Sequence, residues 1–186
     1  INLSGCPLTG AVLEYGQWKN IDSDMTDFIA LCGVLGKLHD INLSGCHLGP
    51  ASAAEFAKAV SDADAAVNSL TVDSTGNMSN QKTYTLTAGD KTIDLSKKNV
   101  GSSDVTLLAM WMKRPQVSAA VVSINCLQNN FGDEGLSTLL SAIKGTSVRS
   151  LCGLTEGQTI ADFSGQNLGP FDCKIMAAES AFSGFI

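Results

Sequence analysis

The sequence predicts an α/β repeat fold, in which short parallel strands form a curved inner sheet, helices lie outside and irregular inserts interrupt the array. Two observations predict this fold. The first ten residues, INLSGCPLTG, recur as INLSGCHLGP at residues 41–50, with seven of ten positions identical. Segments with the apolar spacing of an amphipathic helix follow this motif along the chain. A recurring strand–turn–helix unit is typical of proteins built from stacked repeats.

The second copy defines the strand and its turn most clearly. Residues 38–48 read Leu-x-x-Ile-x-Leu-x-x-Cys-x-Leu, and residues 121–131 repeat that frame as Val-x-x-Ile-x-Cys-x-x-Asn-x-Phe. Ile41 and Leu43 lie two residues apart, so both side chains point to the same face of a strand. The frame predicts parallel strands at about 1–3, 41–43, 93–95, 124–126 and 161–163.

Two copies are less regular at the position that is Asn or Cys in the others. Lys98 and Gln166 stand there, and each is followed by an asparagine. Because a lysine is rarely buried in a protein core, these copies predict either a turn shifted by one residue or a wider coil.

A helix is predicted after each of four glycines that follow the Asn/Cys position by three residues. The segment 136–143 shows the pattern best, with leucine or isoleucine at positions i, i+3, i+4 and i+7. Such spacing places the apolar side chains on one face of a helix. The four glycines are Gly49, Gly101, Gly132 and Gly169.

These units resemble the ribonuclease-inhibitor-like class of leucine-rich repeats, in which each unit pairs a strand with a full α-helix. The resemblance covers residues 1–8, 38–63, 91–113, 121–144 and 160–182. It implies one leucine-rich repeat solenoid over residues 1–186.

The ends of the chain and its inserts depart from a regular array. The chain starts inside a repeat and finishes on AFSGFI, with no polar capping segment at either end. Because terminal repeats normally carry a polar outer face, we expect this solenoid to be part of a longer chain or an assembly. The sequence leaves the placement of the inserts at 9–22, 73–90 and 151–160 open.

Composition and charge exclude several classes of protein. The net charge of −6 argues against binding to nucleic acid or to an anionic membrane surface. No apolar run approaches the roughly 20 residues that a membrane-spanning helix needs. The sequence shows no signal peptide, and its six cysteines are interpreted as reduced core thiols, which together favour an intracellular protein. A disulfide between Cys6 and Cys46 stays open, since stacked neighbouring strands lie about 5 Å apart.

No catalytic or metal-binding motif is present in the sequence. The chain contains no zinc-protease, nucleophile-elbow, phosphate-loop or dinucleotide-binding signature. Its two histidines, His39 and His47, occupy variable repeat positions, where a surface role is expected. The sequence therefore predicts a protein that is not an enzyme and holds no cofactor or metal ion.

The candidate functional residues belong to two surfaces. In a solenoid the variable strand positions line the inner face, and here most of them are small and polar. The first insert adds Tyr15 and Trp18, residue types that dominate strong interfaces, although both could instead cover an open end of the core. The inner-face candidates are Asn2, Ser4, Asn42, Ser44, Asp94, Ser96, Asn125, Leu127, Asp162 and Ser164.

These surfaces predict a protein-interaction or scaffolding module whose partners are other protein chains, with the chain as a structural subunit of a larger complex. The resemblance implies an alternative, because GTPase-activating proteins of the same repeat class act on a bound partner with little chemistry of their own. A secreted recognition receptor is a third interpretation, which would require a signal peptide, cysteine-rich ends and glycosylated asparagines.

Overall fold

A computed structural model describes residues 1–35, 37–61 and 66–180 of the chain. The predicted uncovered C-terminus, residues 181–186, lies outside this part. The described elements are β1 Val12–Glu14, β2 Gln17–Lys19, α1 Thr26–Leu35, β3 Asp40–Asn42, α2 Pro50–Ser61, β4 Ser69–Asp73, a 3₁₀ turn Met78–Asn80, β5 Thr83–Thr87, β6 Thr92–Asp94, α3 Ser102–Met112, α4 Pro115–Ala120, β7 Ser123–Asn125, α5 Gly132–Ile143 and α6 Pro170–Ser180.

The strands form three separate small sheets. Strands β1 and β2 make an antiparallel hairpin, β3, β4 and β5 make a mixed sheet, and β6 and β7 make a parallel pair. The prediction of a leucine-rich repeat solenoid with one continuous, curved parallel sheet is therefore wrong. The fold is a mixed α/β structure with small sheets.

The insert at 73–90 breaks the predicted sheet. It forms β5, in which buried Tyr84 and Leu86 alternate with more exposed threonines, and β5 pairs with β4 in the antiparallel direction. In the described chain no ladder joins β5 to β6. Instead, the Lys98 ammonium donates a hydrogen bond to the Thr83 carbonyl at 3.1 Å. A strand that runs against its neighbours thus ends the first sheet before the second begins.

The predicted strand at residues 1–3 is reduced to a single bridge. Asn2 pairs with Asn42 in parallel, and the Leu3 amide donates to the Asn42 carbonyl at 2.9 Å. The segment follows β3 in the expected direction, but it is too short to form a strand of the sheet.

The predicted strand at 161–163 is absent because another segment occupies the edge of β7. The Ile124 amide donates to the Ser150 carbonyl at 2.8 Å, and the Cys126 amide donates to the Leu151 carbonyl at 3.0 Å. Part of this neighbouring segment belongs to the insert at 151–160, which reaches β7 before residue 161.

The four helices predicted after the glycines are confirmed as α2, α3, α5 and α6. Helices α1, α2, α3 and α5 pack in that order, whereas α6 makes few contacts with α5. One apolar cluster runs beneath the sheets and includes Ile41, Leu43, Ile124 and Cys126. None of the described helices is both long and apolar enough to cross a membrane.

The repeated motif encodes one turn, which all five copies adopt. In each copy, the side-chain oxygen of an Asn or Asp accepts a hydrogen bond from the amide two residues later, at 2.9 to 3.3 Å. Three residues after that Asn or Asp, the backbone has a positive φ, even where Lys97 and Gln128 replace glycine. The turn at Lys98 is therefore not shifted, and Lys98 points its charge to the surface. The Asn/Asp residues carrying this bond are Asn2, Asn42, Asp94, Asn125 and Asp162.

Buried carboxylates attach the irregular segments to the helices. Asp104 of α3 is 2% exposed and accepts hydrogen bonds from the Gly101 amide, the Thr75 amide and hydroxyl, and the Tyr84 hydroxyl, all at 2.8 to 3.0 Å. Burial raises the pKa of Asp104, while these donors act in the opposite direction. The carboxylate thus fixes β5 and the loop after β4 to the start of α3.

A second buried carboxylate attaches α6 to the segment beside β7. Glu179 is 2% exposed and accepts hydrogen bonds from the Ser150 hydroxyl and from the amides of Leu151 and Cys152, the two amides at 2.8 Å. Asp22 acts similarly at the end of the first insert, where it accepts three amide hydrogen bonds at the start of α2.

The six cysteines are free thiols, and Cys6 and Cys173 are exposed. The Cys46 thiol donates a hydrogen bond to the Leu3 carbonyl at 3.1 Å, so it stabilises the pairing of the N-terminal segment. Burial raises the pKa of both Cys32 and Cys46 to about 11. The remaining two thiols are also buried.

Alkylation of the native protein at mildly alkaline pH should therefore modify only Cys6 and Cys173, because a buried thiol forms little thiolate. Mass spectrometry of intact protein is the measurement. The same reaction after unfolding without a reductant serves as the control and should modify six thiols. Only four modified thiols after unfolding would mean that two of the cysteines form a disulfide.

Candidate interaction site

The polar residues of the predicted inner row are used largely within the protein. The Asn and Asp side chains at strand ends are acceptors of the repeated turn, and the Ser44 hydroxyl donates to Asn42 Oδ1 at 2.8 Å. The Ser164 hydroxyl and amide lower the pKa of Asp162 by hydrogen bonding to its carboxylate. These oxygens therefore accept hydrogen bonds that stabilise the turns, and fewer of their lone pairs are available to a partner protein.

Leu127 is not the exposed leucine that the repeat frame predicts. Its side chain is 1% exposed and belongs to the buried apolar cluster, together with Leu151, Cys152 and Leu154. These three residues come from the segment beside β7, which was left unplaced by the sequence. Leu127 is therefore a core residue and not part of an exposed inner row.

The β1–β2 hairpin carries the first predicted insert site. Tyr15 and Gly16 both have positive φ, at 50° and 75°, which makes the turn a two-residue type I′ turn. Tyr15 is fully exposed at the tip, and Leu13 on β1 is 60% exposed. A two-stranded hairpin on its own is marginally stable in water, so the hairpin depends on what it contacts.

Trp18 joins the hairpin to a loop of the neighbouring sheet. Its ring stacks on the His47 imidazole, with 3.6 Å between ring centroids and 24° between ring planes. His47 has a φ of 53° in the loop after β3, where it lies within reach of β2. The sequence left two roles open for Trp18, a partner contact or a cover over the open end of the core. In the structure Trp18 packs on a neighbouring loop, and its ring is half-buried.

A cleft of about 390 Å³ opens beside this stack. It brings Trp18 of the hairpin together with Ser44 of the inner row, and it adds Asp73 and Thr83 from the ends of β4 and β5. Asp94, Ser96 and Asn125 are not part of the cleft, because they belong to the separate β6–β7 sheet and its loop. The sequence did not identify His47 or Asp73 as site residues, since their proximity to Trp18 depends on the tertiary fold.

The Asp73 carboxylate of the cleft already has partners in the protein. Asp73 accepts a hydrogen bond from the Gly45 amide at 2.5 Å and one from the Thr83 hydroxyl at 2.6 Å. Within the described ranges, no hydrogen bond joins His47 to Ser44 or Asp73. The nucleophile–base contact that defines a hydrolytic site is thus not formed by these residues. In the same ranges, no group of three or more His, Cys, Asp or Glu side chains is placed to hold a metal ion.

The hairpin and the cleft form one surface, which we call the hairpin surface: Leu13, Tyr15, Trp18, His47 and Asp73. It offers exposed apolar side chains, two stacked rings and one carboxylate. Exposed apolar and aromatic side chains of this kind are common where a protein contacts another molecule.

Comparison of the chain with protein-family models, curated proteins and solved structures finds no significant match. The resemblance to leucine-rich repeats therefore rests on the repeated motif alone, and the three small sheets depart from that architecture.

Proposed function

We propose that this chain is a non-enzymatic protein-interaction module that binds a partner protein through the hairpin surface. The observation that carries the proposal is the full exposure of Tyr15 at the tip of the hairpin, together with the exposure of Leu13 on β1. Tyrosine and tryptophan are enriched among the residues that dominate binding energy at protein interfaces. Contiguous exposed apolar side chains likewise mark sites of contact.

The backbone of Tyr15 supports this proposal independently. A residue with a side chain at positive φ costs about 1 kcal/mol, and asparagine tolerates this conformation better than tyrosine. Because Tyr15 is fully exposed, its ring contributes no packing that would offset the cost. This cost is offset if Tyr15 is a contact residue whose ring becomes buried when a partner binds.

Tyr15→Asn is expected to abolish partner binding while leaving the fold as stable as before, or slightly more stable. The substitution removes the exposed ring but keeps a residue suited to the type I′ turn. To measure binding, a photoreactive benzoylphenylalanine replaces Tyr15, and the protein is irradiated in an extract of its native source. One protein adduct should form, and an excess of unlabelled wild-type chain should suppress it, whereas the Tyr15→Asn chain should not.

The photoreactive residue at Gln116, an exposed position on α4, provides the matched control. It should not produce the same adduct. The proposal fails if position 15 yields no adduct, if both positions yield the same one, or if Tyr15→Asn competes as well as wild type. Thermal unfolding of each variant confirms that a lost adduct is not a lost fold.

A further inference from the structure

A second surface lies between α5 and α6, at the opposite end of the helix row from α1. Helices α1, α2, α3 and α5 pack closely in that order, while α6 makes few contacts with α5. Glu179 attaches α6 to the segment beside β7 and not to α5. The space between the two helices is therefore a groove, lined on one side by α5 and on the other by α6.

The part of this groove near the end of α5 has an apolar floor. One part is a cavity of about 420 Å³ lined by Leu140, Ile143, Val148 and Ala178. An adjoining part of about 510 Å³ shares Leu140, adds Leu136 and extends towards the start of α5, and its other lining residues are polar or charged. A groove that continues over more than two helical turns of α5 is long enough to accept several side chains of a bound segment.

The rim of the groove is positively charged, in contrast to the chain as a whole. Lys144 and Arg149 lie at the apolar part, and neither forms an ion pair within residues 1–35, 37–61 and 66–180. One nitrogen of the Arg149 guanidinium donates to the carbonyls of Thr146 and Val148, and its positive charge has no carboxylate partner in these ranges. Lys174 on the α6 side is paired with Asp133 at 2.6 Å. The net charge of the chain is −6. Two cations without a carboxylate partner in the described ranges lie beside an apolar floor on an acidic protein. This arrangement favours a ligand that carries carboxylates next to apolar side chains.

We propose that the groove between α5 and α6 is a docking site for an acidic amphipathic segment of a partner protein. Apolar side chains of that segment pack on Leu140, Ile143 and Ala178, and its carboxylates pair with Lys144 and Arg149. Helix-in-groove binding of this kind places apolar residues at helical spacing against the floor and leaves the charges at the rim. The site shares no residue with the hairpin surface, so a chain with both surfaces bridges two partners.

The probe is a fluorescein-labelled synthetic peptide with leucines at helical spacing on one face and glutamates beside them. A matched peptide carries lysine in place of every glutamate. Fluorescence anisotropy with the full chain should show at least about tenfold tighter binding of the acidic peptide, since two exposed charge pairs each contribute modestly. The double variant Lys144→Glu/Arg149→Glu should remove this preference or reverse it.

Lys91→Glu/Lys113→Glu is the matched control, because it changes the net charge by the same amount at exposed positions outside the groove. This variant should bind the acidic peptide nearly as wild type does. The proposal is overturned if neither peptide binds, if both bind equally, or if the control variant loses as much affinity as the groove variant. Decanoate is a second probe. If decanoate binds at Lys144 and Arg149 and the acidic peptide does not, the proposal is wrong and the groove is a site for small amphiphiles.

Discussion

Ile124→Asp is expected to destabilise the protein by at least about 4 kcal/mol, a large fraction of the stability of a typical domain. Ile124 is fully buried in β7, where it lies opposite Ile93 in the parallel pair. Its amide also donates to Ser150 on the other side. An aspartate there is surrounded by apolar side chains, so it is either an unpaired buried charge or a protonated carboxyl, and both states are costly.

Urea unfolding followed by circular dichroism measures this loss, with the slope of the transition as a check that the denatured state is unchanged. Ile160→Asp is the matched control, since it makes the same chemical change at a side chain that is 75% exposed. Its effect should stay within about 0.5 kcal/mol. Equal shifts of the two midpoints would show that Ile124 does not lie in the core.

Glu179→Ala is expected to cost about 4 kcal/mol, because it leaves several buried donors without an acceptor, each at a cost of about 1 to 3 kcal/mol. The donors are the Ser150 hydroxyl and the amides of Leu151 and Cys152. The loss should be greatest where α6 meets the segment beside β7, since few other contacts attach this helix to α5.

Amide hydrogen exchange provides the local measurement for this variant. Exchange at Leu151 and Cys152 should accelerate far more than exchange at Ile41 in the first sheet. Glu134→Ala, at an exposed position in the first turn of α5, removes the same charge without removing a buried acceptor and should change little. Unchanged exchange at Leu151 in Glu179→Ala would show that the carboxylate does not stabilise this junction.

The sequence predicted those parts of the fold that depend on local spacing. Helical spacing placed α5 correctly, and the two-residue spacing of Ile124 and Cys126 correctly identified a buried face. Pairing between distant strands was not predictable in this way. The alternation around Tyr84 indicates a strand but does not indicate which strand it pairs with. The residue types around Ser150 likewise do not show that this segment takes the place beside β7 that the next repeat was expected to occupy.

The candidate site was likewise predicted only in part from the sequence. Tyr15 and Trp18 stood out because of their residue types, and a type I′ turn exposes the first of them. His47 and Asp73 joined the site only through the tertiary fold, which places a loop and a strand end beside the hairpin. Residue chemistry alone did not distinguish them from ordinary surface positions.

Because no ladder joins β5 to β6 in the described part of the chain, the β3–β4–β5 sheet and the β6–β7 pair are each built from strands that are neighbours in the sequence, and the first sheet is synthesised completely before the second. Every partner in the β3–β4–β5 sheet is available once residue 87 has left the ribosome, and the β6–β7 pair draws only on later residues. N-terminal parts of a chain generally fold first during translation. The first sheet can therefore complete its hydrogen bonds on the nascent chain, while Asp104, which arrives later, attaches Tyr84 to the second half. A nascent chain with residue 87 just outside the ribosome would therefore carry a sheet that is paired before α3 covers it.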